Sequence, residues 1–295
     1  MSLLPRILAD APRDRPVLIA GPTASGKSAL ALALAEAQGR VVLNADALQV
    51  YGRWQILTAR PSDAETRQVP HALFGHVGHS EAYSVGRWLD EVAAVLSEDP
   101  GPVIVGGTGL YFSALTEGLA EIPPVPPQLR AEASARIAAE GLGAIVAELD
   151  AATRARTDLR NPARVARAWE VLRATGRGLA AWQAAGARPL VKIGAATSCV
   201  LEVATDALDA RIARRFDLMI AAGALEEVGR ELPRLDFGHP SARAIGAAEL
   251  ARHLRGETSL DDARAAAILA TRRYAKRQRS WARSRFGAWS AHLAA

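Results

Sequence analysis

The chain has 295 residues, 49% of them hydrophobic, with 36 basic against 31 acidic side chains and a formal net charge of +5. This composition can bury a large core and excludes an intrinsically disordered chain, while a single cysteine, Cys199, excludes internal disulfides and a multi-cysteine zinc site and is expected to be a buried structural thiol. No run of about 20 apolar residues offers a membrane span, and Arg6, Asp10, Arg13, Asp14 and Arg15 interrupt any apolar leader, so no membrane contact and a cytoplasmic location are expected.

In chain order, the first predicted strand is Val17-Leu18-Ile19-Ala20. It runs into Gly21-Pro22-Thr23-Ala24-Ser25-Gly26-Lys27-Ser28, after which alternating Ala and Leu predict a helix over 26–38. Strand, Gly-x4-Gly-Lys-Ser loop and helix form the context in which such a loop binds phosphate. Successive amides point inward, the helix amino end adds positive potential, Lys27 supplies a point charge and the Ser28 hydroxyl a magnesium ligand. A ligand carrying at least a diphosphate is expected. Only Lys27, Lys192 and Lys276 among the basic residues are lysine, and a compact ammonium suits the loop where the broad Arg fork does not.

Strands at 41–44 and 103–107, with a helix over 84–97 between them, continue the alternation and imply a parallel sheet with helices on its faces. The Pro-rich run 122–127 breaks the pattern. From there to about 186 the chain is rich in Ala, Arg and Leu without a strand candidate, which predicts an all-helical insertion. Strand character returns at 197–204, followed by helices at 206–222, 241–254 and 259–284. The expected fold class is α/β: a P-loop NTPase-like parallel sheet flanked by helices, divided into 1–122 and 187–295 around a helical domain at 123–186. Residues 271–285 hold seven basic side chains and no acid. On a helix Arg272, Lys276, Arg279 and Arg283 share one stripe, which suits a nucleic-acid phosphate track or a solvated face. His71, His76 and His79 cluster in an expected loop, at a spacing that suits no metal-ligand pattern.

A phosphate loop alone fits a nucleotide hydrolase or a small-molecule kinase, and both use an acid at a strand end to hold magnesium. The strand at 103–107 leads instead into Gly106-Gly107-Thr108-Gly109. The one carboxylate at a strand end is Asp46, in Leu43-Asn44-Ala45-Asp46-Ala47-Leu48-Gln49-Val50-Tyr51, where a doubly wound sheet lines its ligand crevice. An acid there serves as a metal helper or as a general base.

Taken together, these residues resemble the tRNA dimethylallyltransferase (IPP transferase) family. The matching pieces are the loop 21–28, Asp46 to Tyr51, Thr58-Ala59-Arg60-Pro61, Pro70-His71, Val105 to Phe112, Arg164 to Glu170, Arg211 with Arg215-Phe216, and Thr271-Arg272 with Ala275-Lys276-Arg277-Gln278. The chain departs from the family pattern at Ala47, at Ala247 and across Arg53-Trp54-Gln55-Ile56-Leu57. The resemblance implies a loop used for dimethylallyl diphosphate instead of ATP, Mg2+ as cofactor, and transfer of the dimethylallyl group to the N6 amine of adenosine 37 in the tRNA anticodon loop. It implies catalytic roles for Lys27, for Asp46 as base and for Thr108 at the reacting nucleotide. Arg211 and Arg215 would complete the diphosphate clamp of Gly21, Pro22, Thr23, Ala24, Ser25, Gly26, Lys27 and Ser28. Contacts to tRNA are implied at Asp46, Ala47, Leu48, Gln49 and Thr108, at Arg130, at Ala163, Arg164, Val165, Ala166 and Arg167, at Arg243, Ala244, Ile245, Gly246, Ala247 and Ala248, and at Lys276. The adenosine is expected to be extruded into a channel between the sheet domain and the helical insertion, and the enzyme to act as a monomer. On the residues alone, a kinase and a non-catalytic RNA-binding module remain open.

Overall fold

The computed structural model describes residues 3–293. Six strands, β1 (Val17–Ala20), β2 (Val42–Asn44), β3 (His71–Ala72), β4 (Val103–Gly106), β5 (Thr197–Glu202) and β6 (Ser290–Leu293), form one sheet in the order β3-β2-β4-β1-β5-β6. Every pairing is parallel. Helix α1 (Leu3–Asp10) precedes the sheet; parallel neighbours require crossovers, and these are made by α2 (Lys27–Gln38), α3 (Asp63–Gln68), α4 (Val85–Glu98) and α5 (Gly109–Glu117), then after the insertion by α11 (Thr205–Ala221), α12 (Ala224–Glu231), α13 (Ala247–Leu254) and α14 (Leu260–Arg285).

Successive strand side chains face opposite sides of a sheet, and the apolar runs sort accordingly. Leu18, Ala20, Leu43 and Ile104 pack with Trp88 of α4, Phe112 and Leu115 of α5, and Trp289. Val17, Ile19, Val103 and Val105 pack on the other face with Ala31, Leu34 and Ala35 of α2 and Ile7 of α1. Cys199 belongs to this second face, where burial pushes its thiol up to about 12, so it is an inert structural group. A third apolar layer joins Trp54 and Leu57 to Ile212 and Phe216 of α11, Val228 of α12, Leu250 of α13 and Ala267 of α14.

The register aligns Ala20 with Gly106 and with Val200, so the phosphate loop leaves the sheet level with the carboxyl ends of its neighbours β4 and β5. That is the edge where open parallel sheets bind ligands.

Residues 117–189 form a separate compact unit. Its helices are α6 (Pro127–Glu140), α7 (Leu142–Glu148), α8 (Ala151–Arg156), α9 (Pro162–Thr175) and α10 (Leu179–Ala184). They close over their own core of Ala133, Ile145, Leu149, Val165, Ala168 and Trp169. The unit is wider than the expected 123–186 because Gly118, at φ 91°, brings the entering chain hard against Ala187 and Arg188 of the leaving chain.

Several elements, among them α1, α3, β3, α12 and β6, are not anticipated from the amino-acid sequence. His71 accordingly lies in a strand and not in a loop. The helix expected from 241 begins only at Ala247, since Pro240–Arg243 is a 3-10 turn and Gly246, at φ 99°, intervenes. Among the described residues no helix is long and apolar enough to cross a membrane.

Candidate active site

Gly26, at φ 90°, ends the loop and lets Lys27 open α2, whose first-turn amides lack intrahelical partners. The loop and the start of α2 border a cavity that also receives residues following β2 and residues from α11 and α14. Its walls divide chemically. Thr23, Lys27, Ser28, Asp46 and Arg215 make one polar part, and Leu48, Leu57, Ile212, Phe216 and Met219 supply an apolar part.

Asp46 is aimed by a tight local network. Asn44, buried at the end of β2, accepts the Asp46 N–H at 2.8 Å and donates from Nδ2 to the Asp46 and Leu73 carbonyls, both at 3.0 Å. Asp46 Oδ1 in turn accepts the Leu48 N–H at 2.9 Å, an Asx-type turn that orients the carboxylate, and Asp46 borders the cavity.

Positive charge surrounds this acid. Removal from water lowers the Lys27 ammonium to about 8; the Asp46 carboxylate opposes that shift and Arg215 adds to it. Lys27 Nζ donates to the Pro22 carbonyl at 3.2 Å. Arg215 is likewise held below its ordinary value by burial, with Asp46 acting the other way. Asp46, Lys27 and Arg215 therefore sense one another across a single cavity, and two cations facing one carboxylate leave net positive charge for an anion.

Thr108 follows the end of β4. Its Oγ1 accepts the Ala47 N–H at 2.9 Å, which ties the Asp46 turn to the neighbouring strand, and its side chain also meets the Tyr274 hydroxyl. Tyr274, on α14, lines the cavity; burial, and after it Asp46, push its phenol up, so it stays protonated. Gln278, one turn further along α14, bonds to the loop and to the strand end. The family resemblance includes Gln278 only as a matching residue and assigns Tyr274 no role. The available signal is helical spacing: Thr271, Tyr274 and Gln278 recur at steps of three and four on one face.

The structure gathers Lys27, Ser28, Asp46, Leu48, Gln49, Arg215, Ala244 and Ile245 around the cavity, but not Arg211, one turn earlier on α11. Gln49 points into the chain, donating to the Thr58 and Ala59 carbonyls at 2.8 and 2.9 Å. Ala247 and Val165 are completely buried in separate cores, where their side chains are packing elements. Gly246 is also inward, since a Cβ there would press on Leu57 and Phe216. Arg130, Ala163, Arg164, Arg243, Ala248 and Lys276 are exposed. The basic stripe is partly committed to packing: Arg272 pairs with Asp209 at 3.3 Å and Arg279 donates to Thr205 at 3.0 Å.

Among the described residues no group of three or more His, Cys, Asp or Glu could hold a metal ion. The exposed Ser28 hydroxyl and the Asp46 carboxylate border the same cavity. They fit a magnesium ion that takes most of its oxygens from a bound diphosphate and water, as this ion commonly does.

Comparison with known proteins adds to this geometry. The family description IPP transferase matches residues 49–285, and Isopentenyl transferase matches residues 15–73. A tRNA dimethylallyltransferase of Cereibacter sphaeroides (strain KD131) is 66% identical over 287 residues, spanning 97% of this chain and 91% of that one. Another, from Roseobacter denitrificans, is 57% identical and spans 95% and 99%. Among solved structures, a tRNA isopentenylpyrophosphate transferase from Bacillus halodurans superposes with a TM-score of 0.66 at 30% identity over 95% of this chain and 90% of that one. A eukaryotic dimethylallyltransferase, captured acting on tRNA, shares the fold with a TM-score of 0.81 at 23% identity over 95% and 74%.

Proposed function

The chain belongs to the IPP transferase family and transfers a dimethylallyl group to tRNA, and we propose that the cavity around Asp46, Lys27 and Arg215 is where that transfer takes place. The observation that carries this reading is that one cavity is lined by two cations and a carboxylate together with a set of apolar side chains. Dimethylallyl diphosphate likewise has a charged and an apolar part.

The diphosphate is held by the loop amides and Ser28, with Lys27 and Arg215 neutralising its charge. The five-carbon chain lies against Leu57, Ile212, Phe216 and Met219, where its burial supplies roughly 2–3 kcal/mol. Adenosine 37 of the anticodon loop is extruded from its stack and presents N6 to Asp46. As the N6–C1 bond forms, the C1–O bond breaks, its electron pair leaves with the diphosphate, and the N6 proton passes to the Asp46 carboxylate. Lys27 and Arg215 act where charge grows on the leaving oxygen, in a site already desolvated. Magnesium, when bound at Ser28 and the diphosphate, supplies further neutralisation of that charge. Thr108 serves the reaction by fixing the Ala47 amide and with it the direction of Asp46.

The sheet order and the loop after β1 support a sheet of the P-loop NTPase kind. Exposed Arg130, Arg164, Arg243 and Lys276 are the phosphate contacts for tRNA. The enzyme works on that substrate in the cytoplasm, as a monomer.

The test is to incubate the protein and magnesium with unmodified tRNA and either dimethylallyl diphosphate or ATP, then digest and weigh the nucleosides. A prenyl-sized mass gain on adenosine with the prenyl donor alone is expected. Phosphate transfer from ATP, or no gain with either donor, contradicts the reading.

A further inference from the structure

One side chain from the far end of the sequence closes the phosphate loop onto the sheet. Gln278, 9% exposed in α14, accepts the Thr23 N–H at Oε1 and donates from Nε2 to the Gly107 carbonyl, both at 2.9 Å. Two features of a triphosphate site are thereby absent. Thr23 borders the cavity, yet its amide, one of the loop donors, is already taken by Gln278. The strand end, where a kinase carries its magnesium-holding acid, is closed to any side chain: a Cβ on Gly107 would collide with Gln278 Nε2, and one on Gly106 with the Ala45 carbonyl.

We propose that Gln278 is a specificity-determining residue that reserves the loop for a diphosphate. A third phosphate brings additional negative charge into a partly dry site and needs donors and a metal helper of its own. With the Thr23 amide consumed and the strand end filled, that charge meets no partner and is rejected by its desolvation cost. The proposal rests on the reading of this loop as the diphosphate site, and it explains at atomic level why a loop of nucleotide-binding sequence serves a prenyl donor.

The experiment measures calorimetric affinities of inorganic pyrophosphate and tripolyphosphate, at constant magnesium, for the full chain and two variants. Gln278→Met keeps the side-chain volume but frees the Thr23 amide; its tripolyphosphate affinity is expected to rise about tenfold relative to pyrophosphate, equivalent to about 1.4 kcal/mol. Gln278→Glu still accepts the Thr23 N–H and adds a negative charge, so its tripolyphosphate affinity relative to pyrophosphate is expected to stay level or fall and not to rise. An unchanged ratio in Gln278→Met at wild-type melting temperature overturns the proposal, and so does an equal shift in both variants. Should Gln278→Met fail to fold, Gln278→Glu decides alone: a ratio at or below that of the wild type supports the role and a raised ratio overturns it. Because the probes carry no prenyl group, failure of the transferase reading shows separately, as absence of dimethylallyl transfer by the wild-type chain.

Discussion

At the scale of single residues, Lys27 joins burial to function. Its ammonium is needed to hold a diphosphate, yet burial lowers it to about 8 in the free protein. The sign follows from which form binds. Below about 8 Lys27 is charged and attracts the anion, and above it the neutral amine does not. Affinity for dimethylallyl diphosphate should therefore be full on the acid side and fall as pH rises through about 8. Lys27→Arg stays charged throughout and should bind more weakly but without that fall; a matching decline in both proteins would assign it to another group. Ser25 makes a second residue-scale case. It is 1% exposed and its Oγ has no hydrogen-bond partner. Ser25→Ala removes a desolvated hydroxyl without breaking a bond, so stability should stay level or rise by up to about 1 kcal/mol in a denaturant titration. A loss above that size would show a bond that the hydroxyl makes.

Elements are held in register by charged side chains that sequence patterning does not reveal. Arg40, fully buried between α2 and β2, uses every guanidinium N–H. It donates to Gln38 Oε1 at 2.6 Å, to the Arg15, Gly101 and Pro12 carbonyls at 2.7 Å, and to the Ala11 carbonyl at 2.9 Å. It thereby joins the segments that lead into β1, β2 and β4, opposite the edge that bears the loop. Burial holds the guanidinium below its ordinary value, but neutralising it would cost these bonds. Arg40→Met leaves several carbonyls unsatisfied and should cost more than about 3 kcal/mol, a fall in melting temperature of roughly 10 °C. A change below about 1 kcal/mol would mean that water replaces the arginine. Glu227 of α12 is a second clasp. It is buried and accepts the backbone N–H groups of Gln55, Ile56 and Leu57 at 2.6, 3.0 and 3.0 Å. The segment 53–57, which departs from the family pattern, is therefore firmly shaped, and it delivers Leu57 and Thr58 to the cavity.

For the whole molecule, tRNA binding is expected to depend on salt, because exposed Lys and Arg displace counterions from phosphates. Reversing Lys276 and Arg283 to Glu should lower the slope of log affinity against log salt by about two. An unchanged slope would leave Lys276 and Arg283 on a solvated face, beside Arg272 and Arg279, which are tied to Asp209 and Thr205. What was legible in the amino-acid sequence was local. The apolar runs of β1, β2, β4 and β5 and the phosphate loop announce themselves within a few residues, as does Asp46 at its strand end. What was not legible was short or distant. β3 has two residues, and β6 begins Ser290-Ala291-His292, an edge strand without an apolar run. Gln278 meets Thr23 across 255 positions and Glu227 meets Leu57 across 170, so no window of sequence contains either bond. The central claim is that this assembled cavity moves a proton from adenosine to Asp46 while it holds the prenyl diphosphate. Single-turnover transfer by Asp46→Asn, at saturating tRNA and dimethylallyl diphosphate, tests it most directly. The account predicts a rate lower by about 10²–10⁴-fold with tRNA affinity within about threefold of wild type; a near-normal transfer rate would contradict it.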